Sequence, residues 1–499
     1  MRPFGLLRSA IALCLLVAVL LPRPADASRG LAIGIADDGV TQRDPALASS
    51  LVPRWKAAGV EVARVLVIWE RVAPEPRALH APAGLNASDP RDTRYSWGPV
   101  DQAVAALRAQ GIEPILSVTG PGPVWGSRAP QRRNGRYKPD SRKFAAFAAA
   151  VAARYASSAR RYIVWNEPNL PAWLQPQFTC ARHRCSPASA ALYRDIYRRA
   201  SVAIKRADRG ARVYAGALAS RGQSPRSANA VMKPLTFLRS LGCVDRRLRR
   251  DRSSATCRHG FRSISTDGIA YHPHSGVASP ATHTRDHDDA ALGDIARLLR
   301  TVDAIQRRHG LRYAGSFHRR LSLYFDEYGY QTDPPDRLLG VSLAHQAAWL
   351  QEAAFLAWRQ PRVRMLIQYL WRDDPFGSSS TGVASSTGWQ SGLTDEQGRA
   401  KPALRAFTHP FWADLPRGRR TATLWGRVPT GTRPVLSVQR RAHGAHRYTT
   451  IRRLRADRHG YFTLHTIVRS RTSFRFRYAS TGGAPVTSST ATVRRRAAR

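Results

Sequence analysis

Residues 162–169 read Tyr162-Ile163-Val164-Trp165-Asn166-Glu167-Pro168-Asn169. An apolar run this short reads as a strand buried on both faces, and a proline stops it because it has no N–H to extend a ladder. The polar pair in front of that proline, an amide and a carboxylate, is therefore delivered at the C-terminal tip of a buried strand. Outward from this stretch the same pattern recurs. Apolar runs at 31–36, 62–69, 113–119, 162–166, 213–219, 268–272, 321–327 and 365–371 make eight, with helical patterns between them. Over 141–157, Phe144, Phe147, Val151 and Tyr155 share a face; over 338–359, Val341, His345, Trp349, Glu352 and Leu356 recur at helical steps. Gly59 and Gly111 follow two such patterns as C-caps. Eight strand–helix units predict an α/β fold, a (β/α)8 TIM barrel spanning 28–413. A doubly wound open sheet is the alternative, but Asp37-Asp38-Gly39 follows the first run where that fold places a glycine-rich phosphate loop.

Past Trp412 the helical period is lost. A linker is expected at 414–420, then a small all-β sandwich at 421–480 with strands at 421–428, 434–440, 448–456, 460–468 and 473–478. The pieces Val438-Gln439-Arg440-Arg441 and Asp457-Arg458-His459-Gly460-Tyr461-Phe462 resemble immunoglobulin-like accessory modules of bacterial exported proteins. Residues 481–499 read as a disordered basic tail. The composition break marks a domain boundary, so a chain cut after about residue 415 is expected to leave a folded barrel.

At the other end, basic residues precede an apolar run at 9–21, and Ala25 and Ala27 fit a cleavage site, so residues 1–27 read as a signal peptide and the chain as secreted. The apolar run is too short for a comfortable membrane span. Beyond Cys14 four cysteines remain, and in an exported chain the economical pairing is 180–185 with 243–257; neither pair has zinc-site spacing. The net charge of +45 is almost wholly arginine. It suits contact with a cell-wall or other acidic polymer, but arginine in nearly every segment favours a compositional origin over one patch.

A second carboxylate-bearing run is Leu321-Ser322-Leu323-Tyr324-Phe325-Asp326-Glu327-Tyr328-Gly329-Tyr330. Strands four and seven then bring Glu167 and Glu327 to one rim. Two carboxylates facing one cleft are what glycosidic cleavage requires, one as acid/base and one as nucleophile. Strand alternation points Asp326 away from the side Glu327 uses. Asn166 is placed to hold a sugar 2-hydroxyl. Trp125, Trp173 and Trp389 fall on loops near the rim, placed either for stacking on sugar rings or for packing. His272, His274, His283, Asp286, His287 and Asp288 form a histidine-rich stretch with no regular ligand spacing, and no metal is expected.

Together, Trp165-Asn166-Glu167-Pro168 after strand four and Glu327 after strand seven resemble clan A glycoside hydrolases, with the family 39-like group nearest in flavour. The resemblance covers 31–412. It implies Glu167 as acid/base, Glu327 as nucleophile and Arg64 as the strand-two arginine that orients it. It further implies His272 as a strand-six contact and Trp371 as the aromatic floor under the sugar. Two residues after His272, where many relatives carry a tyrosine on the nucleophile, stands His274, so Tyr271 or Tyr328 is left as the substitute. The end of strand three lacks the histidine of some cellulase-like relatives, which argues against cellulose. The expectation is a retaining, cofactor-free glycosidase acting on a poly- or oligosaccharide, monomeric, with no nucleic-acid partner and no membrane span. The alternatives are an inactive carbohydrate-binding barrel and a polyanion-binding surface protein.

Overall fold

The computed structural model describes residues 30–181, 184–316, 318–375, 388–429, 434–480 and 482–494. The proposed signal peptide and the last five residues of the basic tail lie outside them. Eight parallel strands close in sequential order: β1 (Ala32–Ala36), β2 (Val62–Ile68), β3 (Glu113–Thr119), β4 (Arg161–Val164), β5 (Arg212–Ala219), β6 (Ile269–His272), β7 (Leu323–Tyr328) and β8 (Val363–Tyr369). Each expected strand exists, shifted by no more than two residues at either end. Around them run α1 (Pro45–Ala57), α2 (Gly98–Ala109), α3 (Ser141–Tyr155), α4 (Ser189–Ala207), α5 (Pro234–Leu241), α6 (Ile295–Arg307), α7 (Leu343–Arg359) and α8 (Pro402–Thr408). The seventh begins five residues later than expected. Ser342 caps it, its hydroxyl accepting from the His345 N–H. Among the described residues no helix is long and apolar enough to cross a membrane.

Two apolar layers position the site. Ile115, Ile163, Tyr214, Ala270, Met365 and Ile367 fill the barrel interior below the rim, while alternate residues such as Val65, Val118 and Phe325 pack outward under the helices. Closure between β1 and β8 is reinforced by Asp37, whose carboxylate accepts the backbone N–H groups of Val40, Trp371 and Arg372. Burial pushes its pKa up to about 7 in spite of these bonds. Disulfides join Cys180 to Cys185 across a hairpin of Phe178–Ala181 with Arg184–Pro187, and Cys243 to Cys257.

The sandwich contains the five expected strands and three more. One sheet joins β9 (Phe411–Asp414), β10 (Thr421–Arg427) and β13 (Tyr461–Ile467); the other joins β11 (Val435–Ala442), β12 (Thr449–Arg455), β14 (Thr472–Ala479), β15 (Pro485–Thr487) and β16 (Ala491–Val493). Residues 411–414, expected as the end of the barrel and the start of a linker, are therefore sandwich strand. Phe411 packs in the sandwich core with Phe462 and Phe476. The stretch 481–499 is not disordered throughout, because Pro485–Thr487 and Ala491–Val493 both pair with β14.

The two domains share an apolar contact. Trp425 and Tyr461 belong to the same buried cluster as the barrel's outer layer, packed on Phe355 and Trp358 of α7. Tyr461 Oη donates to Leu31 O, and the buried Arg427 donates to Gly59 O and Glu61 Oε1. Leu31, Gly59 and Glu61 precede β1 and β2, so the sandwich docks at the barrel end opposite the rim that carries Glu167 and Glu327.

Candidate active site

Glu167 sits on an unusual piece of backbone. Trp165 (φ 72°) and Glu167 (φ 39°) both adopt left-handed conformations that cost a non-glycine residue about 1–3 kcal/mol each. Neighbouring strands hold them there. Trp165 N–H donates to Val118 O, Asn166 N–H to Thr119 Oγ1 and Glu167 N–H to Ala217 O. The Trp165 ring lies against Gly120, where a Cβ would come within 2.4 Å of it, and meets Phe144 edge-on. Asn169 completes the clamp through bonds with Ala219 and Met232. Its role is invisible in spacing because its partners are backbone atoms of distant segments.

On the far side β7 carries a register shift against β8 between Phe325 and Tyr328. Alternation puts Tyr324 and Asp326 inside the barrel, and the bulge brings Glu327 round to the same side. Asp326 does not point away, as expected, but into the site: its Oδ2 is 3.1 Å from His272 Nε2 and 3.5 Å from Arg64 Nη1. Arg64, 2% exposed, donates from Nη2 to Glu327 Oε2 at 2.7 Å and from Nη1 to Asn166 Oδ1 at 3.3 Å. His274 Nε2 lies 3.2 Å from Glu327 Oε1.

His272 is the hub. Its Nδ1 lies 3.0 Å from Glu167 Oε1 and 3.8 Å from Glu327 Oε2, while its Nε2 serves Asp326. Burial alone would lower its pKa, but the charges of Asp326 and Glu327 and hydrogen bonds to Asp326 and Glu167 raise it to about 10. Burial would likewise raise Glu327, yet the His272 and Arg64 charges and the His274 hydrogen bond hold it far below the usual carboxylate range. The cationic cradle thus favours the anionic form of Glu327, and the surrounding carboxylates favour a protonated His272, whose Nε2 also lies 3.3 Å from Arg64 Nη1. Ligand atoms of His272, His274 and Glu327 lie within 4.8 Å of one another. His272 already engages carboxylates with both nitrogens and Arg64 holds Glu327, so this trio is committed to hydrogen bonding.

The remaining site residues part company. Tyr328 is buried behind the rim, bonded to Tyr330 and stacked on His274, so it reaches Glu327 only through that histidine. Tyr271 is also turned outward, donating to Ala290 O. Trp125 packs edge-on against Trp69 with Nε1 on Pro74 O, which makes it a packing residue rather than a sugar platform. Trp371 is not the floor: the left-handed Leu370 (φ 68°) breaks the alternation of β8 and turns Trp371 out onto Trp55 of α1. Tyr369, which sequence reasoning missed, is the inward aromatic of β8. It is half-buried on the interior cluster, and burial and then the Glu327 charge raise its pKa. Trp389, 37% exposed, meets Tyr369 edge-on at 5.8 Å. In the histidine-rich stretch the acids are paired internally, Asp286 with Lys233 and Asp288 with Arg239.

The fold class and this carboxylate constellation set the frame for comparison. No protein-family model matches the chain, and no curated protein matches it in sequence. Solved structures do. A glucosidase from Croceicoccus marinus is similar over 89% of this chain and 94% of its own, at 12% identity and a TM-score of 0.52. GH5_18 from Streptomyces cattleya, solved with GlcNAc, is similar over 77% and 80%, at 16% identity and a TM-score of 0.48. An endo-beta-1,4-mannanase from Thermotoga petrophila is similar over 94% and 98%, at 11% identity and a TM-score of 0.42. At these identities the first likeness establishes the fold, and the other two are reported as likeness alone.

Proposed function

We propose that this chain is an exported, retaining glycoside hydrolase that cleaves O-glycosidic bonds of a poly- or oligosaccharide by double displacement. The observation that carries the reading is the single ring atom, His272 Nδ1, lying 3.0 Å from one glutamate oxygen and 3.8 Å from the other. Glu167 Oε1 and Glu327 Oε2 can be no farther apart than those two lengths laid end to end. That closeness supports the about 5–5.5 Å spacing of a retaining pair over the about 6.5–9.5 Å that an inverting pair needs for its water. Glu327, ionised and held by Arg64, attacks the anomeric carbon. Glu167 protonates the departing oxygen, then deprotonates the water that releases the sugar. Asn166, fixed by Arg64, meets the 2-hydroxyl, and Tyr369 with Trp389 supplies the aromatic surface first sought at Trp371 and Trp125. Two disulfides support export, because such bonds persist in oxidising compartments.

The test is a panel of aryl glycosides with the anomer of the first-formed product read by NMR. Retained configuration, lost in both glutamate variants, is the expected result. Inverted product overturns the double displacement, and no turnover on any glycoside overturns the hydrolase.

A further inference from the structure

Residues 421–499 hold 17 arginines, no lysine and a single acidic residue, Asp457. That carboxylate is engaged in its own turn, accepting from the backbone N–H groups of His459 and Tyr461. Composition alone would scatter these arginines. The sheet does not. On β11, β12 and β14 one face buries Leu436, Val438, Phe474 and Phe476 in the sandwich core, which turns the alternate residues outward. Register then builds rows on the outer face. Arg453, Ser437 and Arg477 lie side by side, as do Thr450, Gln439 and Arg475, with Arg441 opposite Ser473 in the next row. With strands about 4.8 Å apart, Arg453 and Arg477 flank the small Ser437 across roughly 10 Å, a shallow basic trough. Two of the guanidiniums are already ordered. Arg441 and Arg475 lie over the Tyr448 ring at 4.9 and 4.0 Å, and Arg475 Nε donates to Gln439 Oε1. Less side-chain freedom is then lost when an anion arrives.

We propose that the outer face of this sheet is a binding site for a carboxylate-bearing polysaccharide, gripped by Arg441, Arg453, Arg475 and Arg477. The planar guanidinium fork matches carboxylates in bidentate fashion. The choice of a polysaccharide over another polyanion rests on the proposed hydrolase function. The full chain is titrated with polygalacturonate, with dextran and with duplex DNA of matched charge. Polygalacturonate should bind and weaken about tenfold or more between about 50 and 200 mM salt, and dextran should not bind. The double variant Arg453→Ser/Arg477→Ser, with Tm unchanged, should lose at least about fivefold in affinity at low salt. The control Arg108→Ser/Arg300→Ser, exposed on α2 and α6, should lose nothing comparable. Equal losses in the two doubles, or no binding at low salt, overturn the site. Duplex DNA binding as tightly as polygalacturonate overturns the polysaccharide. Because binding is read without turnover, a protein that binds here but cleaves no glycoside retains this surface and refutes only the hydrolase.

Discussion

The catalytic rim and the outer sheet of the sandwich use the same residue type in opposite ways. In the barrel, Arg64 is buried and surrounded by carboxylates and an amide, each contact between 2.7 and 3.5 Å. In the sandwich, arginines stand in rows, and Asp457 is the single acidic residue of 421–499. Burial makes the difference. A buried guanidinium requires partners, and removing one side of a buried pair costs about 3–5 kcal/mol. An exposed one is solvated and remains available to a partner from outside. An arginine-rich composition therefore carries two meanings that a charge total cannot separate.

The largest effect should come from breaking the rim. Glu327→Ala is expected to abolish turnover on every substrate, by at least about 10⁴-fold, as for other nucleophile deletions. Glu167→Ala should follow, by about 10²–10⁴-fold on poor leaving groups and far less on activated aryl glycosides. Azide should restore turnover there with retained configuration. Equal losses on both leaving-group classes would contradict the acid/base role.

Arg64→Met sharpens the contrast, because it strands Asp326 and Glu327. Unfolding free energy from denaturant titration should drop by about 3–5 kcal/mol, whereas Arg453→Ser should fall within about 0.5 kcal/mol of the parent. Trp425→Ala tests the contact between the domains and should cost about 3–5 kcal/mol. A chain ending near residue 415 should lose soluble barrel, contrary to what its composition break suggested, since it exposes the surface that Trp425 and Tyr461 cover. A cut chain with the parent's Tm would show the contact to be dispensable.

The last effect is in pH. Glu327 has a depressed folded pKa, so its stabilisation is present above about pH 4.3, the ordinary glutamate value, and is lost as pH falls toward the folded one. His272 has a raised one, so its stabilisation is full below about pH 6.5 and is lost as pH rises toward about 10. Stability should peak between about pH 4.5 and 6.5, and His272→Gln should remove the alkaline decline of Tm with pH. A decline unchanged in that variant would place its origin elsewhere.

The barrel was legible because parallel strands buried on both faces must be runs of apolar residues, and eight such runs leave few alternatives. The five longer sandwich strands were legible because one-sided burial forces alternation. The short edge strands Pro485–Thr487 and Ala491–Val493 are three residues each and only half-buried, too short to leave a pattern to read. At the site, Arg64 and His272 sit where unbroken strand alternation puts them, whereas Asn166 and Glu167 reach the rim on the left-handed backbone that follows β4. The failures fall where alternation is interrupted: the β7 bulge brought Asp326 and Glu327 to one side, and the left-handed Leu370 exchanged Trp371 for Tyr369. Such interruptions are set by long-range backbone partners, which no local window contains.

Docking of the sandwich beneath β1 and β2 puts it at the end of the barrel away from Glu167 and Glu327. Each strand rises about 3.3 Å per residue, so the seven residues of β2 already separate the two ends of the barrel by roughly 20 Å. A chain lying along the arginine rows does not run straight on into the cleft. The sandwich is then a mooring rather than a feeding track. On the proposed function, such a mooring would raise the effective concentration of glycosidic bonds near the rim.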